Sequence, residues 1–196
     1  PEQCQAAPQC RQTPTTETII VRLDIQNPTL GDMRVRQAIA FAIDKESIMN
    51  DIQGGGETAG QIVSSTALGF NASLEPYPLD LERATALVDE ARDAGVDVEA
   101  EFTFAARQGF ILRADEIIEF IVTNLHEVGL TGAQAQMMET AAFEDLWQPG
   151  GYDTVSPDRA FVGMNQHGNE LMDYAASMGY YTCDGTPSNL CDPTLE

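Results

Sequence analysis

Basic residues are scarce in this 196-residue chain: ten Lys and Arg stand against 31 Asp and Glu, a net charge of −21. Lys45 is its single lysine, and the remaining cations are arginines. Such a surface repels phosphate backbones, which argues against nucleic acid as a partner, and offers anionic membranes no electrostatic attraction. Solubility, especially in salty surroundings, is the simplest account of the coat. Long apolar runs are also missing, since no stretch approaches the roughly 20 residues needed to cross a bilayer. There is no Gly-x-Ser-x-Gly elbow, and the only histidines, His126 and His167, are far apart with no second ligand at metal spacing. The residues therefore support neither catalysis, nor a metal, nor a cofactor. Gly54-Gly55-Gly56 lacks the Lys-Ser/Thr that follows in a phosphate loop, and reads as a flexible turn.

What is present suffices for one sizeable domain, because 43% of the residues are hydrophobic and can pack a core. Four cysteines fall into two close pairs, Cys4 with Cys10 and Cys183 with Cys191. Four cysteines allow three full connectivities, and local pairing is the simplest of them. Zinc fits less well, since its ligand pairs normally lie two to four residues apart, whereas these are C-x5-C and C-x7-C. Disulfides imply an oxidising compartment. The chain starts at Pro1 without Met and stops after Cys191-Asp192-Pro193, which suggests a fragment or a processed chain.

Periodicity organises the rest. Residues 1–17, rich in Gln, Pro and Thr, read as a linker or pinned segment, and 18–196 as the folded unit. Thr18 to Asp24 has the β-branched content of a strand. Asp32 is placed to cap a helix from Met33 to Met49, with Val35, Ala38, Ile39, Ala42 and Ile43 on one face and a break and restart at Asp44. Asp80 caps a second helix that Gly95 stops. Alternation predicts a strand from Val98 to Phe104, a strong apolar stripe predicts a helix from Leu112 to Val128, and a further strand follows at Ala133–Met138. Strand, helix and strand over 98–138 form a βαβ unit with parallel strands, so the architecture is layered α/β. Thr140 is expected to cap a helix ending at Trp147. After Tyr152 the pattern dissolves into Gly, Asn, Ser and Pro, which predicts long ordered loops.

Three residues in this last third are candidates for binding. Trp147, the only tryptophan, is either a buried anchor or an aromatic shelf at the mouth of a cleft. His167, in the polar run Asn165–Asn169, could line that cleft. Asp173 either caps a helix at Tyr174-Ala175-Ala176 or pairs with a ligand amine as a charge-assisted acceptor.

The run Asp32-Met33-Arg34-Val35-Arg36-Gln37-Ala38, leading to Ala42-Ile43-Asp44-Lys45-Glu46-Ser47-Ile48, closely resembles the signature helix of the family 5 bacterial solute-binding proteins, the dipeptide/oligopeptide/nickel-binding group. Pro76-Tyr77-Pro78-Leu79-Asp80 with Arg83-Ala84, the helix ending at Gly129, and Gly151-Tyr152-Asp153 resemble further family segments in the same order. The resemblance implies a periplasmic-binding-protein-like (type II) C-terminal lobe, a mixed sheet with flanking helices. It implies capture of a small peptide, or of another solute such as a nickel chelate, sugar or haem, between this lobe and a missing N-terminal lobe. It also implies delivery to an ABC permease outside the cytoplasmic membrane, with no enzymatic turnover. Arg34 and Arg36 would tie the signature helix to nearby carboxylates or carbonyls. Many peptide-binding members carry a Trp-x-x-Asp motif whose Asp grips the peptide's amino terminus. That tryptophan is absent here, and the resemblance leaves Asn169 or Asp173 as the candidate for the place of the gripping Asp. A sensor or interaction domain on the same fold is the other reading.

Overall fold

A computed structural model describes residues 16–150, 152–168, 172–185 and 190–191. The β-branched run forms strand β1, Thr18–Leu23. Helix α1, Met33–Ala42, opens as its sequence predicts, with the Asp32 carboxylate accepting the Arg34 N–H at 2.8 Å. Asp44 then accepts the Ser47 N–H at 3.0 Å, breaking the helix and starting α2, Lys45–Ser47. A π-helical turn, Ile48–Gln53, continues from it and ends at Gly54, whose φ of 76° suits a residue without Cβ.

Arg34 pairs with Asp32 at 2.6 Å and donates to the Glu90 carbonyl at 3.0 Å, while Arg36 donates to the Gly31 carbonyl. Lys45 reaches the carbonyls of Ala40 and Tyr77, each at 2.9 Å. The signature motif is thus a set of ties. Beneath them Val35, Ala38, Ile39 and Ala42 are buried, packed on helix α3, Leu81–Asp93.

Strand β2 is Phe102–Arg107, helix α4 Ala114–Glu127, and strand β3 Ala133–Met138. β2 and β3 pair in parallel, Phe102 opposite Ala133, which gives the expected βαβ unit. β2 starts later than its alternation suggested: Val98 is buried, yet it lies in a turn, its N–H bonded to the Val96 carbonyl. Helix α5, Thr140–Trp147, follows, with Glu139 and not Thr140 at the N-cap and no side-chain cap bond.

The main departure lies after Tyr152. Where loops were expected, Phe161–His167 forms strand β4, at the centre of a sheet ordered β1-β4-β2-β3. β4 is antiparallel to β1 and parallel to β2. Its residues are buried on both faces, so the alternation that marks a half-exposed strand is absent. Val162 and Met164 join the main core under α1, α3 and α4, whereas Phe161 joins Ala105, Phe143 and Trp147 beneath α5. Gly163 permits the second cluster, since a Cβ there would meet the Phe161 and Trp147 rings at 2.8–2.9 Å. Ile117, Ile118, Ile121 and Leu125 of α4 are 1% exposed or less. Each such side chain contributes about 1.5–3 kcal/mol on burial.

Short helix α6, Ala175–Met178, closes the described fold. After it, Cys183 and Cys191 form the expected local disulfide. Of the four cysteines expected in disulfides, Cys4 and Cys10 differ from that pair in lying outside the described residues, so the local bridge is observed only at Cys183 and Cys191. Among the described residues no helix is long and apolar enough to cross a membrane, and none group as a metal site.

Candidate ligand-binding face

Three parallel strands end on one edge of the sheet, at Arg107, Met138 and His167. In open α/β sheets, ligands bind beyond such carboxyl ends, where the loops diverge. The loop after β2 borders an open surface depression of about 670 Å³, lined by Gln108, Phe110, Ile111, Leu112, Arg113 and Met137 among others. That volume lies within the range that holds small solutes. Arg107 lies next to this lining: its guanidinium is 3.5 Å from the Phe110 ring centroid and pairs with Glu144 of α5. Phe110 is 44% exposed, an aromatic face offered to solvent. Arg113 holds the far wall, donating to the Ile52 carbonyl at 2.6 Å and to Glu116 at 2.7 Å. The hydrogen bond from Arg113 holds the Glu116 carboxyl below its usual range.

The sequence-nominated residues are arranged differently from one another. His167 is the last residue of β4, not part of a loop, and is 7% exposed. Its Nε2 lies 2.9 Å from the Ser177 hydroxyl, and its ring meets Tyr180 edge-on at 5.3 Å. Trp147 is 2% exposed, stacked on Phe143, under the Arg22 guanidinium at 4.2 Å and edge-on to Tyr180. Closed to solvent, its ring serves as the buried anchor and not as a shelf. Burial lowers the Arg22 pKa to about 10, so the guanidinium stays charged over the indole at neutral pH. Burial also raises the Tyr180 phenol, which keeps it protonated there.

Asp173 lies one residue before the α6 N-cap, Tyr174, and accepts the Ala175 N–H at 2.9 Å, while its neighbours bridge to Leu68 through Leu68 N–H to Met172 O, 2.8 Å, and Tyr174 N–H to Leu68 O, 2.9 Å. It is partly exposed, leaving the carboxylate accessible. Asn169 lies outside the described residues. The structure therefore joins His167, Trp147, Ser177 and Tyr180 in one buried cluster below the edge, with Asp173 in the loop above it. Sequence reading missed Arg107 and Phe110, because neither belongs to a recognisable motif. The one available signal was position: Arg107-Gln108-Gly109-Phe110 connects a strand to the strongest helix.

The sequence profile of the bacterial extracellular solute-binding proteins, family 5 (middle region) matches residues 3–176. The chain belongs to this family. The dipeptide-binding protein of Escherichia coli (strain K12) is 36% identical over 69 residues, 35% of this chain and 13% of that protein. The ABC transporter substrate-binding protein CtaP of Listeria monocytogenes superposes with a TM-score of 0.77 at 20% identity, covering 93% of this chain and 36% of that one. The periplasmic binding protein DppA of Helicobacter pylori, solved with the peptide STSA, superposes with a TM-score of 0.68 at 16% identity, covering 98% and 37%. The chain thus spans little more than a third of these solved structures, and the fold is the α/β fold of periplasmic binding proteins.

Proposed function

We propose that residues 18–196 form one lobe of an extracytoplasmic ABC-importer solute-binding protein, joined through residues 1–17 to the rest of the chain, and that its solute is a small peptide. The family match over residues 3–176 carries this reading. The relatives named for dipeptides and crystallised with a peptide support the choice of solute. A second lobe closes over the ligand, the complex docks on a membrane permease, and no bond is made or broken.

The ligand seats beyond the carboxyl ends of β2, β3 and β4. Phe110 offers an apolar wall and Arg107 a guanidinium, although Glu144 already balances that charge. Asp173, or Asn169 four residues earlier in the sequence, receives the peptide's amino group, and the acidic character of the chain favours that end of the ligand. His167 and Trp147 act from below, holding the strand ends in place. Isothermal titration calorimetry of the full-length protein against peptides of two to five residues tests this. Micromolar or tighter binding is expected. Heat only with haem, a nickel chelate or a sugar would reassign the solute, and heat with none of these would refute the reading.

A further inference from the structure

Charge is missing from one segment. Thr58 to Leu74, seventeen residues between α2 and α3, contains no Asp, Glu, Lys or Arg, where about three or four would be expected at the chain's own 21%. This strap turns back on itself: Gln61 bonds to the Asn71 backbone at both ends, at 2.7 and 3.1 Å. Leu68 then forms a two-sided backbone bridge to Met172 and Tyr174. The Tyr174 side chain lies against Gly69, so close that a Cβ there would meet it at 2.7 Å. Four large apolar side chains consequently cluster around the bridge, with Leu68 69%, Phe70 39%, Met172 41% and Tyr174 48% exposed.

An apolar patch with Asp173 as the carboxylate between Met172 and Tyr174, fed by a strap that carries no charge on a molecule otherwise coated with carboxylates, has the composition of an interface centre, where charged residues are depleted and aromatic and methionine side chains enriched. The patch flanks Asp173, the described residue of the proposed ligand loop, and so lies at the side of the lobe facing the cleft. This chain spans only 36–37% of the solved proteins it resembles, which leaves ample chain to cover it.

We infer that Leu68, Phe70, Met172 and Tyr174 form the surface on which the remaining lobe of the full-length chain rests, before ligand arrives as well as after. This inference rests on the two-lobed reading above, but not on the identity of the solute. Through the Leu68 bridge, the same contact fixes the backbone on either side of Asp173, so lobe contact and ligand grip share one piece of main chain.

Met172 provides the readout, because peroxide converts an accessible thioether to the sulfoxide. In the unliganded full-length protein, its oxidation rate is compared with its rate in the same protein unfolded in guanidinium. If the other lobe covers it, the folded rate falls below about one-tenth of the unfolded rate and does not change on dilution. A ratio near two-fifths, as its 41% exposure in this lobe alone would give, overturns the inference. Protection that disappears on dilution assigns the patch to a second copy and overturns it too. A shielded Met172 in a protein that binds no peptide would leave this contact standing and remove only the peptide assignment. An accessible Met172 in a peptide-binding protein would do the reverse.

Discussion

Asp24 offers a test of what holds the sheet's buried edge. It follows β1 with a carboxylate 0% exposed, and accepts two bonds from Arg159, Nε to Oδ2 and Nη2 to Oδ1, the latter at 2.7 Å. Arg22, itself buried, is close enough for Asp24 to favour its charged form and for Arg159 to disfavour it. One carboxylate therefore balances two guanidinium groups. Asp24→Asn keeps the volume and removes the charge, leaving both cations without their counter-charge. Breaking a buried pair in this way costs about 3–5 kcal/mol. The Arg159 side chain is 17% exposed and partly regains water, which sets the expectation at the lower end, about 3 kcal/mol. For a domain of this size that corresponds to a fall in Tm of about 6–12 °C. Thermal unfolding by circular dichroism reads it, with Arg159→Met and the double variant completing a cycle. Asp24→Asn should be the most harmful of the three, because it alone strands a charge on each side. A loss below about 0.5 kcal/mol would refute the reasoning.

Further outcomes follow from the same contacts. Gly163→Ala should destabilise by about 1–3 kcal/mol, read by urea unfolding, because the added methyl meets two ring edges that the cluster cannot easily move. Asp32→Ala should cost about 1 kcal/mol through loss of the α1 cap. The Arg34 hydrogen bond lowers the Asp32 pKa from 3.8 to about 2, so its contribution is complete above pH about 4 and is lost as pH falls through 2. The acid limb of a stability profile should therefore flatten between those values in the Ala variant. The 196-residue chain alone should show no measurable peptide binding by calorimetry, since on the proposed two-lobed reading it presents half of a cleft, and micromolar affinity would contradict that.

Legibility followed the physics of each element. α1, α3 and α4 were readable because each buries one stripe and solvates the other, so their 3.6-residue period survives in the sequence. β3 was readable to the residue, lying at the sheet edge after a glycine-ended helix. β4 was not, because a central strand buried on both sides has no alternation, and Asn165, Gln166 and His167 gave its end the composition of a loop. That one omission displaced His167 from strand to loop and hid the edge on which the candidate face is built. Arg107 was hidden for a different reason, since its partners Phe110 and Glu144 lie in the loop after β2 and in α5 and share no motif with it. Cysteine spacing was a sufficient guide to the bridge between Cys183 and Cys191, while the pairing of Cys4 with Cys10 stays an expectation from spacing, both residues lying outside the described ones.

All that is proposed for binding depends on a ligand seated beyond the carboxyl ends of β2, β3 and β4. Phe110→Ala tests this with little structural burden, because the ring is 44% exposed. In the full-length protein it should weaken the affinity for the best-bound peptide by about tenfold, the loss of one aromatic contact of roughly 1.4 kcal/mol, with Tm within a degree or two of the parent. The substitution Glu99→Gln, in the loop before the opposite ends of the strands, should leave the dissociation constant unchanged. Equal affinity in the parent and Phe110→Ala proteins, or a larger loss from Glu99→Gln, would contradict the placement of the ligand.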